Sequence, residues 1–267
     1  MLLKEIRNWS DDAGNKVIII NPSDQQVRKD CLDLQLMHGQ RLGGGMLQEF
    51  NFLRCEVNEI KIQESCEIFF KSNVAKNNIL VISCFSQIKK LKVCFFCSNS
   101  ICYIGNSRGA YSIEMGEDCL LTISNGVSSS SVVDLCTAEG TCISIGDDCM
   151  FAKDVCVKTN DYHPIFDVRS GKRVNVSKDI VVRDHVWVGA KSFISKGTEI
   201  GTGSVVGYGS YVSGFFPNNC CVAGIPAKVI KRDIAWERPM LNKTEPFYKP
   251  NSTSVRKSTY WYLTEGE

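Results

Sequence analysis

His163 stands in the run Asp161-Tyr-His-Pro164 and is one of three histidines in the 267 residues, with His38 and His185. A hydroxyl becomes a useful nucleophile when a nearby base can take its proton. An imidazole, with an unperturbed pKa of about 6.5, does this near neutrality. Asp161 has two readings of equal weight: a carboxylate that orients the imidazole, or a turn former in the pair Asn160-Asp161. His38 has no supporting context. Fourteen cysteines are present, but none sits in a motif that would make it a nucleophile. Cys94-x-x-Cys97 lacks a second pair for zinc, and reduced structural thiols are the expectation.

The elements that must position these residues are announced by a period of six. Val182, Val188, Ile194, Ile200, Val206 and Val212 stand six apart, a spacing that fits neither a helix nor an ordinary strand. In the hexads VGAKSF, ISKGTE, IGTGSV and VGYGSY the fifth residue is Ser or Thr and the second is Gly, Ser, Gly and Gly. This is the pattern of a hexapeptide β-helix, with three hexads to a coil. The first residue of each hexad points inward, the small fifth residue fills in beside it, and Gly at the second position is expected to ease the corner. Cys149 takes the fifth place in Ile145-Gly-Asp-Asp-Cys-Met and reads as a small buried filler.

Ile145, Phe151 and Val157 form a second series upstream, and the phase breaks between Val157 and Val182. Residues 161–178, rich in charge and turn formers, read as a loop expelled from the coil. His163 lies where the coil ends and that loop begins. Trp187 is the sixth, outward residue of its hexad, where a solenoid has no core use for so large a side chain; the alternative is a subunit contact. His185, fourth in the same hexad, is expected to point outward from a strand as a structural or groove-lining residue. Residues 18 apart stack on successive coils, which places Ala190 above Tyr208.

The predicted organisation is all-β: an N-terminal region (1–56), a β-helix (57–230) and a C-terminal tail (231–267). Strands are expected at 16–20, 59–62, 66–70, 78–82, 91–96, 112–115 and 119–123. Gly43-Gly44-Gly45 reads as a flexible turn. The tail is expected to wrap a neighbour or the end of the solenoid, and flat β-helix faces call for an oligomer. With 31 basic and 29 acidic residues the net charge is +2, so neither nucleic acid nor an anionic membrane is an expected partner. The start MLLKEIRNWSDD has no apolar core, and no run reaches membrane-spanning length. The expected address is the cytoplasm, without membrane insertion.

The hexads, Thr159-Asn-Asp-Tyr-His-Pro164, Asp184-His-Val-Trp-Val-Gly189 and Gly224-Ile-Pro-Ala-Lys228 together resemble the left-handed β-helix (hexapeptide-repeat) acetyltransferases over roughly residues 140–232. Within them the match is to bacterial O-acetyltransferases of capsule and lipopolysaccharide, including those acting on sialic-acid capsules. The resemblance implies acetyl-CoA as co-substrate, no metal, and a homotrimer with active sites between subunits. It implies His163 as general base and Trp187 as an active-site residue packing on acetyl-CoA. It also implies cofactor contacts at Gly189, Ala190, Tyr208 and Ser213, with Ala227, Lys228 and Lys231 toward the phosphate end. Backbone N–H groups near Trp187–Gly189 are candidates for an oxyanion hole. Tyr162, Arg169, Lys172 and Arg173 stand on the loop as candidates to hold a carbohydrate acceptor, the three basic residues on charge alone.

Other readings share the solenoid. A γ-class carbonic anhydrase needs three zinc-binding histidines across neighbouring subunits, which three histidines in all, one far upstream, do not readily supply. A streptogramin-type antibiotic O-acetyltransferase, a nucleotide-amino-sugar N-acetyltransferase and a non-catalytic trimeric scaffold are the remaining alternatives. The joint presence of His163, Trp187 and Gly-Ile-Pro-Ala-Lys weighs against the scaffold.

Overall fold

The computed structural model describes residues 8–20, 61–71, 74–83 and 86–264. His38, Gly43-Gly44-Gly45 and most of the 1–56 region lie outside them. The upstream strands are β1 (Asn8–Ser10), β2 (Lys16–Ile20), β3 (Lys61–Phe70), β4 (Ile79–Ser83), β5 (Gln87–Phe95), β6 (Ile101–Ile104), β7 (Arg108–Met115), β8 (Leu120–Ile123) and β9 (Ser128–Thr137). The repeat region adds β10 (Cys142–Ile145), β11 (Met150–Phe151), β12 (Val155–Lys158), β13 (Ile180–Val182), β14 (Trp187–Val188), β15 (Phe193–Ser195) and β16 (Glu199–Ile200). It closes with β17 (Val205–Val206), β18 (Tyr211–Val212), β19 (Phe215–Phe216), β20 (Cys221–Gly224) and β21 (Ala227–Lys231).

Successive coils stack in parallel, giving the expected parallel β-helix. One face is the ladder β2-β4-β6-β8-β10-β13-β16-β19. The other two faces are separate short strands downstream, β11-β14-β17-β20 and β12-β15-β18. Upstream they merge into the long strands β3, β5, β7 and β9, and β9 pairs with both β11 and β12. Because β2 pairs in parallel with β4, the first face reaches upstream of residue 57, the start expected for the β-helix.

The hexad pattern explains the core. All six periodic residues from Val182 to Val212 are at most 1% exposed, as are the fifth-place residues Ser192, Thr198, Ser204 and Ser210. Cys149 is fully buried in the same slot. The corner is eased at a different position from the one expected. Asp148, Asp154, His185, Lys191, Gly197, Gly203 and Gly209, the fourth residues of their hexads, all have positive φ. Glycine in second place answers instead to the closeness of the next coil. A Cβ on Gly189 would lie 2.6 Å from the Val206 carbonyl oxygen and 2.8 Å from the Tyr208 nitrogen.

The tail folds back along one corner of the prism. The Asn219 carboxamide donates to the carbonyls of Ile234 and Tyr260, and its oxygen accepts from Leu263 N–H. Further up the same corner, Arg238 reaches Asp148 Oδ1, Ser128 Oγ and the carbonyls of Gly126, Asp148 and Cys149. Among the described residues no helix is long and apolar enough to cross a membrane.

Candidate active site

The loop carrying His163 is measured by the strand register. Cys156 pairs with Phe193 and Ile143 with Ile180, steps of 37 residues, whereas Val181 pairs with Glu199 and Phe193 with Tyr211, steps of 18. The coil therefore carries 19 extra residues (37 − 18). They form a short hairpin bridged between Phe166 and Arg173. Its turn is organised by Asp167, whose carboxylate accepts from the N–H groups of Arg169 and Ser170 and from the Ser170 hydroxyl.

His163 is exposed at the root of this hairpin. Its N–H donates to the Asp161 carbonyl at 2.7 Å, and its carbonyl accepts from Asn175 Nδ2 at 2.8 Å. Among the described residues nothing hydrogen-bonds the imidazole itself, which leaves both ring nitrogens available to a ligand. Asp161 turns its carboxylate toward Asn175 Nδ2, at 2.9 Å, and pairs with Lys196. The Lys196 ammonium holds the Asp161 carboxyl below the usual carboxylate range. Tyr162 lies between two charged groups: its hydroxyl donates to Glu114 Oε2 and accepts from Lys158 Nζ, both at 3.1 Å. Desolvation raises its phenol to about 12. Of the loop cations, Arg173 is occupied by Glu139 and by the side chain and carbonyl of Asn175. Arg169 and Lys172 are exposed.

Trp187 stands on β14, 39% exposed, against Trp236 of the tail at 6.0 Å between ring centroids. His185 is not on a strand. It lies in a corner turn with φ 52°, and its ring, turned away from the prism core, is covered by the tail: it is 2% exposed, between the rings of Trp236 and Tyr260. The oxyanion candidates also need correction. Trp187 N–H donates to the Ser204 carbonyl and Gly189 N–H to the Val206 carbonyl, so the coil ladder already uses both.

The expected cofactor residues fall at the next corner and beyond. Gly209 N–H donates to the Ala190 carbonyl at 2.9 Å, which fixes the stacking of these two turns. Tyr208 is 69% exposed, with Lys191 Nζ 6.0 Å from its ring centre. Ser213, Lys228 and Lys231 are exposed, whereas Ala227 is buried. The β20–β21 hairpin sets Ala223 opposite Lys228 and Cys221 opposite Lys231. Within the chain these groups stand at different corners of the prism. His163 leaves from the corner between the β12 and β13 faces, beside Lys196. Trp187 stands on the β14 face, which adjoins the prism's other two corners. Sequence reasoning missed Asn175, Lys196, Glu139 and Trp236: the last three act through partners on another coil or corner, and Asn175 through the folded shape of its own loop. Among the described residues no cluster of three His, Cys, Asp or Glu could hold a metal ion.

Short parallel faces, an expelled histidine loop and an outward tryptophan place the chain among the acyltransferases built on hexapeptide-repeat β-helices. The chain is 32% identical over 169 residues to the polysialic acid O-acetyltransferase of Neisseria meningitidis, covering 63% of this chain and 76% of that protein. It is 44% identical over 96 residues to the polysialic acid O-acetyltransferase of Escherichia coli O1:K1, covering 36% of this chain but only 31% of that relative's length. The solved polysialic acid O-acetyltransferase OatWY matches 73% of this chain and 98% of its own, at 26% identity and a TM-score of 0.49. No protein-family model matches. By the Neisseria relationship the chain belongs to the family of the polysialic acid O-acetyltransferases.

Proposed function

We propose that this protein is an acetyl-CoA-dependent O-acetyltransferase acting on a hydroxyl of a bacterial surface polysaccharide, with a sialic-acid capsule as the favoured acceptor. The observation that carries the proposal is His163. It stands exposed on a loop pinned at its root, with its imidazole unengaged among the described residues. His163 takes the proton of the acceptor hydroxyl as that oxygen attacks the thioester carbon. The tetrahedral intermediate then collapses, the C–S bond breaks, and the CoA thiolate recovers the proton from the imidazolium. No acetyl-enzyme forms. Asp161, held by Lys196 and Asn175, fixes the chain before the base.

Acetyl-CoA is proposed to lie along the corner of Gly189, Ala190 and Tyr208, passing Ser213, with its phosphates toward Ala227, Lys228 and Lys231. Trp187 packs on it. Arg169 and Lys172 supply positive charge for an acidic sugar, and Tyr162 lines the approach. Because the His163 corner and the Trp187 face are separate in one prism, the site is proposed to form between subunits of a homotrimer. The exposed apolar loop residues Ile165, Phe166, Val168, Val174 and Val176 support such a contact. The proposed location is the cytoplasm.

The test is incubation with acetyl-CoA and each of polysialic acid, O-antigen, a nucleotide amino sugar and a streptogramin. Free CoA thiol and new O-acetyl esters are measured together. Ester formation on polysialic acid is expected; transfer confined to a small amine or antibiotic would overturn the acceptor class.

A further inference from the structure

The expelled loop is built inside out. Its apolar side chains Ile165, Phe166, Val168, Val174 and Val176 are 51–96% exposed, while its one buried residue is the polar Asn175, at 8%. A loop without an apolar core takes its shape from hydrogen bonds, and here they converge on one carboxamide. Nδ2 of Asn175 donates to Asp161 Oδ2 at 2.9 Å and to the His163 carbonyl at 2.8 Å. Its Oδ1 accepts from Ile165 N–H at 2.7 Å and from Arg173 Nε at 3.2 Å. Two donors and two acceptor positions are the full capacity of an asparagine side chain. The group therefore ties down residues 161, 163 and 165, on both sides of the proposed base and at the base itself.

This hub is also fixed to the prism. The Asn175 carbonyl accepts from Lys196 Nζ at 3.0 Å, and Lys196 belongs to the next coil, just past β15. Arg173, which bonds both the side chain and the carbonyl of Asn175, is paired with Glu139 of the preceding coil. Asn175 thus stands between the two ion pairs that join the loop to the solenoid, Asp161–Lys196 on one side and Arg173–Glu139 on the other. An alanine there would leave the Ile165 N–H without its acceptor and the His163 carbonyl without its donor.

We propose that Asn175 is a positioning residue for the acyl transfer, setting the backbone at His163 and with it the place of the imidazole. The inference rests on His163 being the base. A misplacement of about 1 Å costs on the order of 10²-fold in rate. Asn175→Ala is accordingly expected to lower kcat by about 10- to 100-fold, with KM for acetyl-CoA unchanged because that corner is untouched. A general structural role would slow any background equally, whereas a role exerted through His163 vanishes when His163 is gone. In the His163→Ala protein, Asn175→Ala is therefore expected to cost nothing further. Equal losses in both backgrounds, or no loss in either, would overturn the proposal. Asn175→Asp keeps the shape and both acceptor bonds but sets an anionic oxygen against the Asp161 carboxylate and the His163 carbonyl where the donors stood; it runs the same cycle if the alanine protein does not fold. An unimpaired His163→Ala protein would sink the base assignment itself, whereas an impaired His163→Ala beside an unimpaired Asn175→Ala would sink only the positioning role.

Discussion

Trp236 lies flat on His185, with ring centroids 4.0 Å apart and planes at 11°, and hydrogen bonds run both ways between them. The indole Nε1–H donates to the His185 carbonyl at 2.9 Å, and the Trp236 carbonyl stands 3.0 Å from His185 Nε2. A carbonyl only accepts, so Nε2 is the donor in that contact. The other nitrogen faces Asp148 Oδ2 at 2.6 Å, and Arg238 holds the opposite oxygen of that carboxylate. One corner turn is thereby tied to two separate points of the tail. Trp236 is 8% exposed. Trp236→Ala is expected to destabilise the fold by about 3–5 kcal/mol, the usual range for removing a buried aromatic. Urea unfolding checks this, and a change below about 1 kcal/mol would mean the tail is not a structural strap.

The loop's anchorage should depend on pH through Glu139. Its hydrogen bond from Arg173, then that from Ser177, lowers its carboxyl from 4.5 to about 2. A depressed folded-state pKa means stability that is present above the free value and lost as pH falls. The anchor is thus intact above about pH 4.5 and weakens progressively toward pH 2. Protection of the amides in residues 161–178, taken relative to intrinsic exchange at each pH, is expected to fall over that window. Glu139→Gln should show the acid-side protection already at neutral pH; wild-type protection unchanged down to pH 2 would contradict the assignment.

Gly189 has no room for a side chain. With a Cβ 2.6 Å from the Val206 oxygen, Gly189→Ala must push two coils apart. The expected cost is about 1–3 kcal/mol, as for other overpacked sites. If acetyl-CoA runs along this corner, its affinity should fall as well. Thermal unfolding and calorimetric titration separate the two effects; unchanged affinity in the displaced coil would move the cofactor to another corner.

The thiols are expected to be inert. Burial pushes Cys142 and Cys149 up to about 12, far from the thiolate needed for nucleophilic attack. Both should resist a thiol reagent at pH 8 and react once the chain is unfolded. After incubation with acetyl-CoA alone, intact-mass measurement should find no acetylated protein. A stable 42-dalton adduct on Cys142 or Cys149 (about the mass of one acetyl group) would contradict direct transfer.

Part of this organisation could be read from residues alone, and the reason is geometric. From Val182 to Val212 each hexad sends one side chain inward, so the period is written directly in the sequence. Upstream, Ile79, Ile101, Leu120 and Cys142 stack at steps of 22, 19 and 22 residues, which six does not divide. Strands β5, β7 and β9 there span two faces each, so the hexad corner disappears. Strand β6 was missed, and β9 was hidden behind the run Ser128-Ser-Ser-Ser131, which reads as loop. His185 sits in the positive-φ corner rather than on a strand, and its burial is not written in its hexad because the covering residues, Trp236 and Tyr260, lie 51 and 75 residues further on in the tail. The loop's extent was readable from the broken phase. Its hub at Asn175 was not, because the bonds that define it join residues 161, 163, 165 and 173 through the loop's own irregular fold, which carries no sequence period.

The most direct test of His163 as the base is the steady-state release of CoA by folded His163→Ala with acetyl-CoA and polysialic acid, compared with the unaltered protein. A loss of roughly 10²–10⁴-fold is expected, the usual contribution of a general base, with acetyl-CoA binding retained. A folded His163→Ala protein that turns over at near the normal rate would contradict it.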